Sequence, residues 1–316
     1  MVANASNRVY LFVFSQMLDD FRLPELQALL SMSGCALPIE QQAGCSKWPT
    51  LLVELPSESL VHQVLARSML VKYAYELLAS ADDYDRLHET LAEQCKHRDD
   101  LFAATRTYCM RVKSIGKKVT HEYIVQKIEE FAYLPVSEGR VDLTNADHEL
   151  HCIELYGKCP ANKSDQSNAP LERIHFARYL GRGQWHLCER YKLTERCYIG
   201  NTTMDPRLAL IQANLAHVQA HSLVLDPFVG TGGILLAAAH FSAFCIGTDI
   251  NYNITHAIGR CSRVSQRWLT ANESIAANFA QYGLSAQLLG VAVADASRTA
   301  LWHGHALFDA IICDRQ

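Results

Sequence analysis

Apolar residues recur along this chain at two spacings, and the alternation between them lays out an order of elements. Residues 9–14 are an unbroken apolar run of strand length. From Pro24 the spacing turns helical: Leu26, Leu29 and Leu30 fall on one face, proline stands near the opening, and Gly34 follows the end. Residues 51–55 predict a second strand. Ser57 opens a helix predicted to run to about Leu78, with Leu60, Val64 and Leu65 as its buried stripe. Tyr108 to Val112 alternates like a strand, and 121–131 predicts an amphipathic helix. Short strands at 140–143 and 151–155 flank an Asn145-Ala-Asp147 turn.

The periodicity stops between Lys158 and Pro170, a polar stretch carrying two prolines, which is the composition of a linker. Beyond it, Asp205 is placed to cap a helix that Pro206 opens, with Leu208, Ile211, Leu215 and Val218 as its stripe. A strand at 223–226, a glycine turn, a small-residue helix from Gly233 and a strand ending at Asp249 come next. A helix at 273–282, closed by Gly283, and strands at 288–293 and 307–313 follow. Strands alternating with helices predict right-handed crossovers and a parallel sheet. The expected fold class is α/β: a C-terminal Rossmann-like sheet that ends at its fourth strand, preceded by an α+β region. The expected domains are 1–95, an N-terminal α+β domain; 96–158, a second α+β unit; 159–170, the linker; and 171–316, the sheet domain.

Composition narrows the function classes. At 49% hydrophobic and 20% charged, the 316 residues read as a soluble, folded chain long enough for two cores. A formal charge of −4 gives no global attraction to nucleic acid, so any such contact must be local. No apolar run approaches the ~18 residues of a membrane span, and Tyr10 to Phe14 lacks the features of a secretion signal. Eleven cysteines without close pairs fit reduced thiols in a cytoplasmic or nuclear protein better than disulfides or zinc. His303 and His305 have no third ligand nearby, so no metal is expected. Arg106, Arg111, Lys113, Lys117 and Lys118 lie together without an acid among them. They are either a phosphate-binding patch or a solvated face.

The chemistry concentrates in Leu223-Val-Leu-Asp226-Pro-Phe-Val-Gly230-Thr-Gly232-Gly233. An apolar strand ends in an acid and breaks into a turn where glycines permit conformations and approaches that a Cβ blocks. No Lys-Ser/Thr pair follows, which excludes a Walker loop, and Leu235 stands where a dinucleotide fingerprint has its third glycine. Asp249 ends the second strand, where an acid accepts ribose hydroxyls, and Asp295 follows the third, placed for an adenine amine. Each acid alone is also an ordinary helix cap. Three at successive strand ends point to an adenosine-containing ligand.

These residues carry a resemblance. Asp226-Pro-Phe-Val-Gly-Thr-Gly-Gly233, Tyr198-Ile-Gly-Asn-Thr-Thr-Met-Asp205 and Gly247-Thr-Asp-Ile250 are similar to the tRNA guanine-N2 methyltransferases that modify guanosine 10. Agreement extends through Ser262 to Trp268, Asn272 to Asn278, Gln281 to Leu284, and Asp295-Ala-Ser297. N-terminal to these, Asp20 to Leu26, Phe131 to Pro135 and Gly139 to Leu143 also fit. The resemblance implies a class I methyltransferase using S-adenosyl-L-methionine, preceded by a THUMP-like RNA-binding region at 96–158 that grips tRNA. It places the cofactor against Asp226, Pro227, Phe228, Gly230, Thr231, Gly232, Asp249, Ile250, Asp295 and Ala296. It adds Arg263 and Arg267 to the RNA-binding candidates, although a surface helix with a core tryptophan explains that segment equally. It also implies a small zinc-binding activator subunit along an edge of the methyltransferase sheet.

The family's fourth-strand motif is Asp-Pro-Pro-aromatic, and here Asp314 is followed by Arg315-Gln316. Asp314 is the candidate catalytic residue, accepting a hydrogen bond from the guanine amine. With the rest of the loop missing, the chain is expected to be a C-terminally truncated form with little turnover. The alternatives are a non-catalytic tRNA-binding protein, or methylation of another exocyclic amine such as adenine N6.

Overall fold

The computed structural model describes residues 8–36, 48–95, 98, 101, 105–134, 140–157, 169–200, 202–258, 273–298 and 307–314. Arg263, Arg267, His303, His305 and nearly all of the expected linker lie outside the described residues. The chain divides into two compact units, one of 1–16, 38–65 and 72–182, the other of 17–37, 66–71 and 183–316. No described helix is long and apolar enough to cross a membrane.

In the first unit the described strands are β1 (Arg8–Phe14), β2 (Thr50–Leu55), β3 (Val71–Ala81), β4 (Thr107–Ile115), β5 (Arg140–Val141), β6 (His148–Tyr156) and β7 (Leu171–Arg182). They form one sheet in the order β2-β1-β3-β7-β6-β4-β5. β7 runs antiparallel to β3 and β6, and β4 runs parallel to β5 and β6. Period-two alternation sorts the side chains. Tyr108, Val112, Leu150, Ile174 and Phe176 pack with Leu87 and Leu91 of the helix Tyr84–Cys95, and with Phe131. Leu11, Tyr75, Ile153, Leu155 and Ala177 form a second cluster. Glu76 is buried, and three guanidiniums compensate it: Arg8 at 2.9 Å, Arg98 at 3.0 Å and Arg178 at 2.8 Å. A carboxylate taken out of water needs that company.

Three expectations change here. The helix after Ser57 ends at Leu65, and the predicted tail is strand β3. Between them, Ser68 turns the chain and its hydroxyl accepts from Val71 N at 2.9 Å. Residues 171–182, expected beyond a boundary at 170, are an interior strand of this sheet. One sheet also runs across the division expected at 95–96.

The second unit contains an all-parallel sheet of β8 (Leu223–Asp226), β9 (Phe244–Asp249), β10 (Leu288–Val293) and β11 (Ala310–Ile311), ordered β10-β9-β8-β11 among the described residues. The helix Pro206–Leu215 has the expected cap, with Asp205 Oδ1 accepting from Arg207 N at 2.7 Å. The helix Gly233–His240 buries Ile234 to Ala239, its three alanines allowing close approach. An N-terminal helix, Arg22–Met32, packs against Pro206–Leu215. Its Glu25 is fully buried and accepts from Ser68 Oγ (2.7 Å), Met69 N (2.9 Å), Leu70 N (2.9 Å) and Asn214 Nδ2 (2.8 Å). Burial raises this carboxyl's pKa and the four donors oppose the rise.

Replacing Glu25 with alanine strands four donors in a dry site. The expected loss of unfolding free energy is about 3 kcal/mol, read by denaturant titration. An unchanged midpoint would contradict this account.

Candidate functional site

Strand β8 delivers Asp226 to the sheet's C-terminal edge, where Asp226 Oδ1 accepts from Phe228 N at 3.0 Å and starts the turn. The turn is tied to β9 at three points. Val229 N donates to Thr248 O at 2.8 Å, Gly230 N to Asp249 Oδ2 at 2.9 Å, and Thr248 Oγ1 to Pro227 O at 3.2 Å. Gly230 and Gly232 sit at φ +49° and +81°, which a side chain disfavours. A Cβ on Gly232 would lie 2.8 Å from Ile275 Cγ2.

The turn borders a cavity of about 550 Å³. Asp226, Phe228, Gly230, Thr231, Asp249 and Asp314 line it, so it gathers the candidate catalytic acid with two of the three strand-end acids. Asp314 arrives because β11 pairs with β8, Ile311 opposite Leu225, and Ile312 N donates to Leu225 O at 3.0 Å. Asp226 is 1% exposed. Burial pushes its carboxyl up to about 7, the Phe228 amide opposes this, and the charges of Asp249 and Asp314 add to the rise. Asp249 also accepts from Asn251 N at 2.8 Å. An acidic recess with fixed carboxylates suits a ligand that brings positive charge and hydroxyl donors.

Pro227, Gly232, Ile250, Asp295 and Ala296 are not among the lining residues. Gly232 supplies backbone geometry, and Ile250 is 70% exposed. Asp295 Oδ1 accepts from Ser297 N (3.0 Å) and Ser297 Oγ (2.7 Å), which holds its carboxyl below the usual range. The opposite walls come from residues not assigned from sequence: Ile199, Gly200, Thr203 and Met204 on one side, Asn253, Ile254 and Ile258 on another. Thr203 Oγ1 meets Thr231 Oγ1 at 2.8 Å and so fixes the first wall to the turn. The sequence signal for the first wall is the 198–205 stretch, whose residues carry part of the family resemblance.

In the first unit the basic cluster divides. Arg106 faces Asp147 at 3.7 Å, and Arg111 faces Glu149 at 3.3 Å. Lys113 Nζ stands 4.2 Å from the Tyr73 ring centre, its pKa lowered chiefly by burial. Lys117 lies 5.1 Å over Tyr156, and Lys118 is exposed.

Because the folded pKa of Asp226 lies above its unfolded value, its stabilising contribution is complete below about pH 4 and is lost as pH rises through about 7. The loss between about pH 6 and about pH 8 comes to about 1.4 kcal/mol. Asp226→Asn removes it, so the variant should gain on the wild type by that amount in urea titrations at those two pH values. Gly232→Ala should cost about 1–3 kcal/mol by the same measurement, with Ile275 displaced; wild-type stability in the variant would refute the contact.

Residues 8–185 match the family described as "Tmrp11 THUMP N-terminal domain", and residues 194–313 match "RMKL-like, methyltransferase domain". The tRNA (guanine(10)-N(2))-methyltransferase TRMT11 of Bos taurus is 37% identical over 306 residues, which cover 96% of this chain and 65% of that protein. The tRNA (guanine(10)-N(2))-methyltransferase of Saccharomyces cerevisiae is 30% identical over 312 residues, covering 96% of this chain and 66% of that protein. The chain therefore spans just under two thirds of the length of these curated relatives. Among solved structures, TrmN from Thermus thermophilus is similar at 16% identity and a TM-score of 0.45, covering 98% of this chain and 79% of that one. With more than half of its length matched by the first of these families and the methyltransferase domain following, the chain belongs to the Tmrp11 THUMP family.

Proposed function

We propose that this chain carries the cofactor-binding and RNA-binding parts of an enzyme that methylates N2 of guanosine 10 in tRNA with S-adenosyl-L-methionine. The observation that carries this reading is the acidic recess at the ends of β8 and β9, reached also by Asp314. Its lining suits the cofactor: Asp249 offers carboxylate acceptance for the ribose, and Asp226, its pKa raised to about 7, would be drawn into its ionised form by a positively charged methionine end. When bound, the cofactor supplies an electrophilic methyl on a sulfonium. The chain's own groups bind, orient and exclude water. Asp314 would accept a hydrogen bond from the guanine amine, orienting the nitrogen without acting as a strong base. Asp295 stands outside this proposal because it is not among the residues that line the cavity.

Relatives that bear this activity in their names support the substrate assignment. Arg106, Lys117 and Lys118 are proposed to meet the tRNA backbone, with Arg111 and Lys113 more committed to protein partners. A zinc-binding activator subunit is proposed along β10, a terminal strand of the described sheet whose Leu289 and Val293 are exposed. A cytoplasmic location fits this assignment.

Calorimetry with S-adenosylhomocysteine should show uptake, and Asp249→Ala should weaken it about tenfold. Any methyl transferred in a single-turnover reaction with unmodified tRNA and the activator should map to N2 of guanosine 10. Uptake without transfer favours a binding protein, and a methyl on adenine N6 favours the other amine. Folded protein that takes up no cofactor overturns the proposal.

A further inference from the structure

Asn278 belongs to the helix Ile275–Gln281 and is fully buried, a costly place for a carboxamide unless each polar atom is used. Its Oδ1 accepts from Tyr198 N at 2.7 Å. Its Nδ2 donates to Tyr198 O at 2.7 Å and to Thr231 O at 3.3 Å. The side chain thus pairs with both backbone groups of Tyr198, as a neighbouring strand would, and spends its second donor on the glycine turn. Tyr198 extends the chain of contacts, its hydroxyl donating to Ile254 O at 2.8 Å. Three walls of the cavity meet in these two residues: the 198–204 segment, the turn at Thr231 and the stretch after Asp249. Gln281, one turn on, holds the approach to this segment by accepting from Cys197 N (2.9 Å) and donating to Glu195 O (2.8 Å).

We propose that Asn278 and Tyr198 are a positioning pair that sets the spacing of the three walls around the ligand. The identity of that ligand rests on the methyltransferase reading; the positioning itself does not. Asn278 acts through the backbone of its neighbours, and its chemistry is specific. An aspartate would keep the acceptor for Tyr198 N but turn a carboxylate toward two carbonyl oxygens.

The test uses the full chain with Asn278→Ala, Asn278→Asp and Tyr198→Phe. It reads S-adenosylhomocysteine affinity together with amide hydrogen exchange in 198–200, 229–233 and 252–258. Asn278→Ala should speed exchange in the first two segments and weaken affinity about tenfold. Tyr198→Phe should speed exchange only in 252–258 and weaken affinity about threefold. Asn278→Asp should restore protection at Tyr198 N without restoring affinity, a split that a merely structural role would not produce. Faster exchange at 198–200 with wild-type affinity overturns the proposal, as does unaltered exchange at 229–233 in Asn278→Ala. If the wild type takes up no cofactor product, the methyltransferase reading fails, and the exchange pattern alone decides the positioning claim. Should Asn278→Ala not fold, Tyr198→Phe and Asn278→Ser carry the same comparison.

Discussion

The hydrogen bond from Gly230 N to Asp249 Oδ2 ties together the ends of two adjacent parallel strands, and the cavity takes its form from that tie. A parallel sheet brings strand ends to one edge but leaves the loops beyond them undirected. Here the acid that ends β9 holds the turn that follows β8, while Thr248 contributes its carbonyl and hydroxyl to the same turn. The same side chain lines the recess, so the acid that holds the turn is also part of the cavity wall. Asp226, one strand over, is buried, and its raised pKa follows chiefly from that burial.

Glu25 does comparable work at a distance from the cavity. It joins the N-terminal helix, the 68–70 turn and the helix Pro206–Leu215 through one carboxylate. Arg67 continues the cluster, its Nε donating to Asn214 Oδ1 at 3.2 Å and its guanidinium lying 3.8 Å from the Phe241 ring centre. Residues nearly two hundred positions apart are thus fixed by hydrogen bonds that water cannot reach.

The glycine turn was legible because each residue type there does backbone work: glycines take left-handed conformations, and acids cap amides at known offsets. The Asp205–Pro206 cap was legible for the same reason. Long-range pairing was not. The stripe Leu60, Val64 and Leu65 can be continued to Val71 at helical spacing, and pairing with β1 on one side and β7 on the other makes the stretch from Val71 a strand. Arg178 makes sense beside Glu76, a residue on another strand, and its sequence neighbours do not reveal that. Arg111 and Lys113 likewise looked like free cations until Glu149 and the tyrosines came beside them. Asp295 matched its pattern, yet Ser297, two residues on, claims its oxygen.

Both units are discontinuous in sequence: residues 17–37 and 66–71 lie N-terminal to most of the first unit yet belong to the second. A scission after Arg182 would therefore not release two autonomous proteins. The downstream fragment would lack the helix whose Leu26, Leu29 and Leu30 are buried, together with the carboxylate that satisfies Asn214, and the upstream fragment would keep that helix without its seat. During synthesis the N-terminal helix must likewise wait for more than 150 further residues before its docking partner Pro206–Leu215 exists.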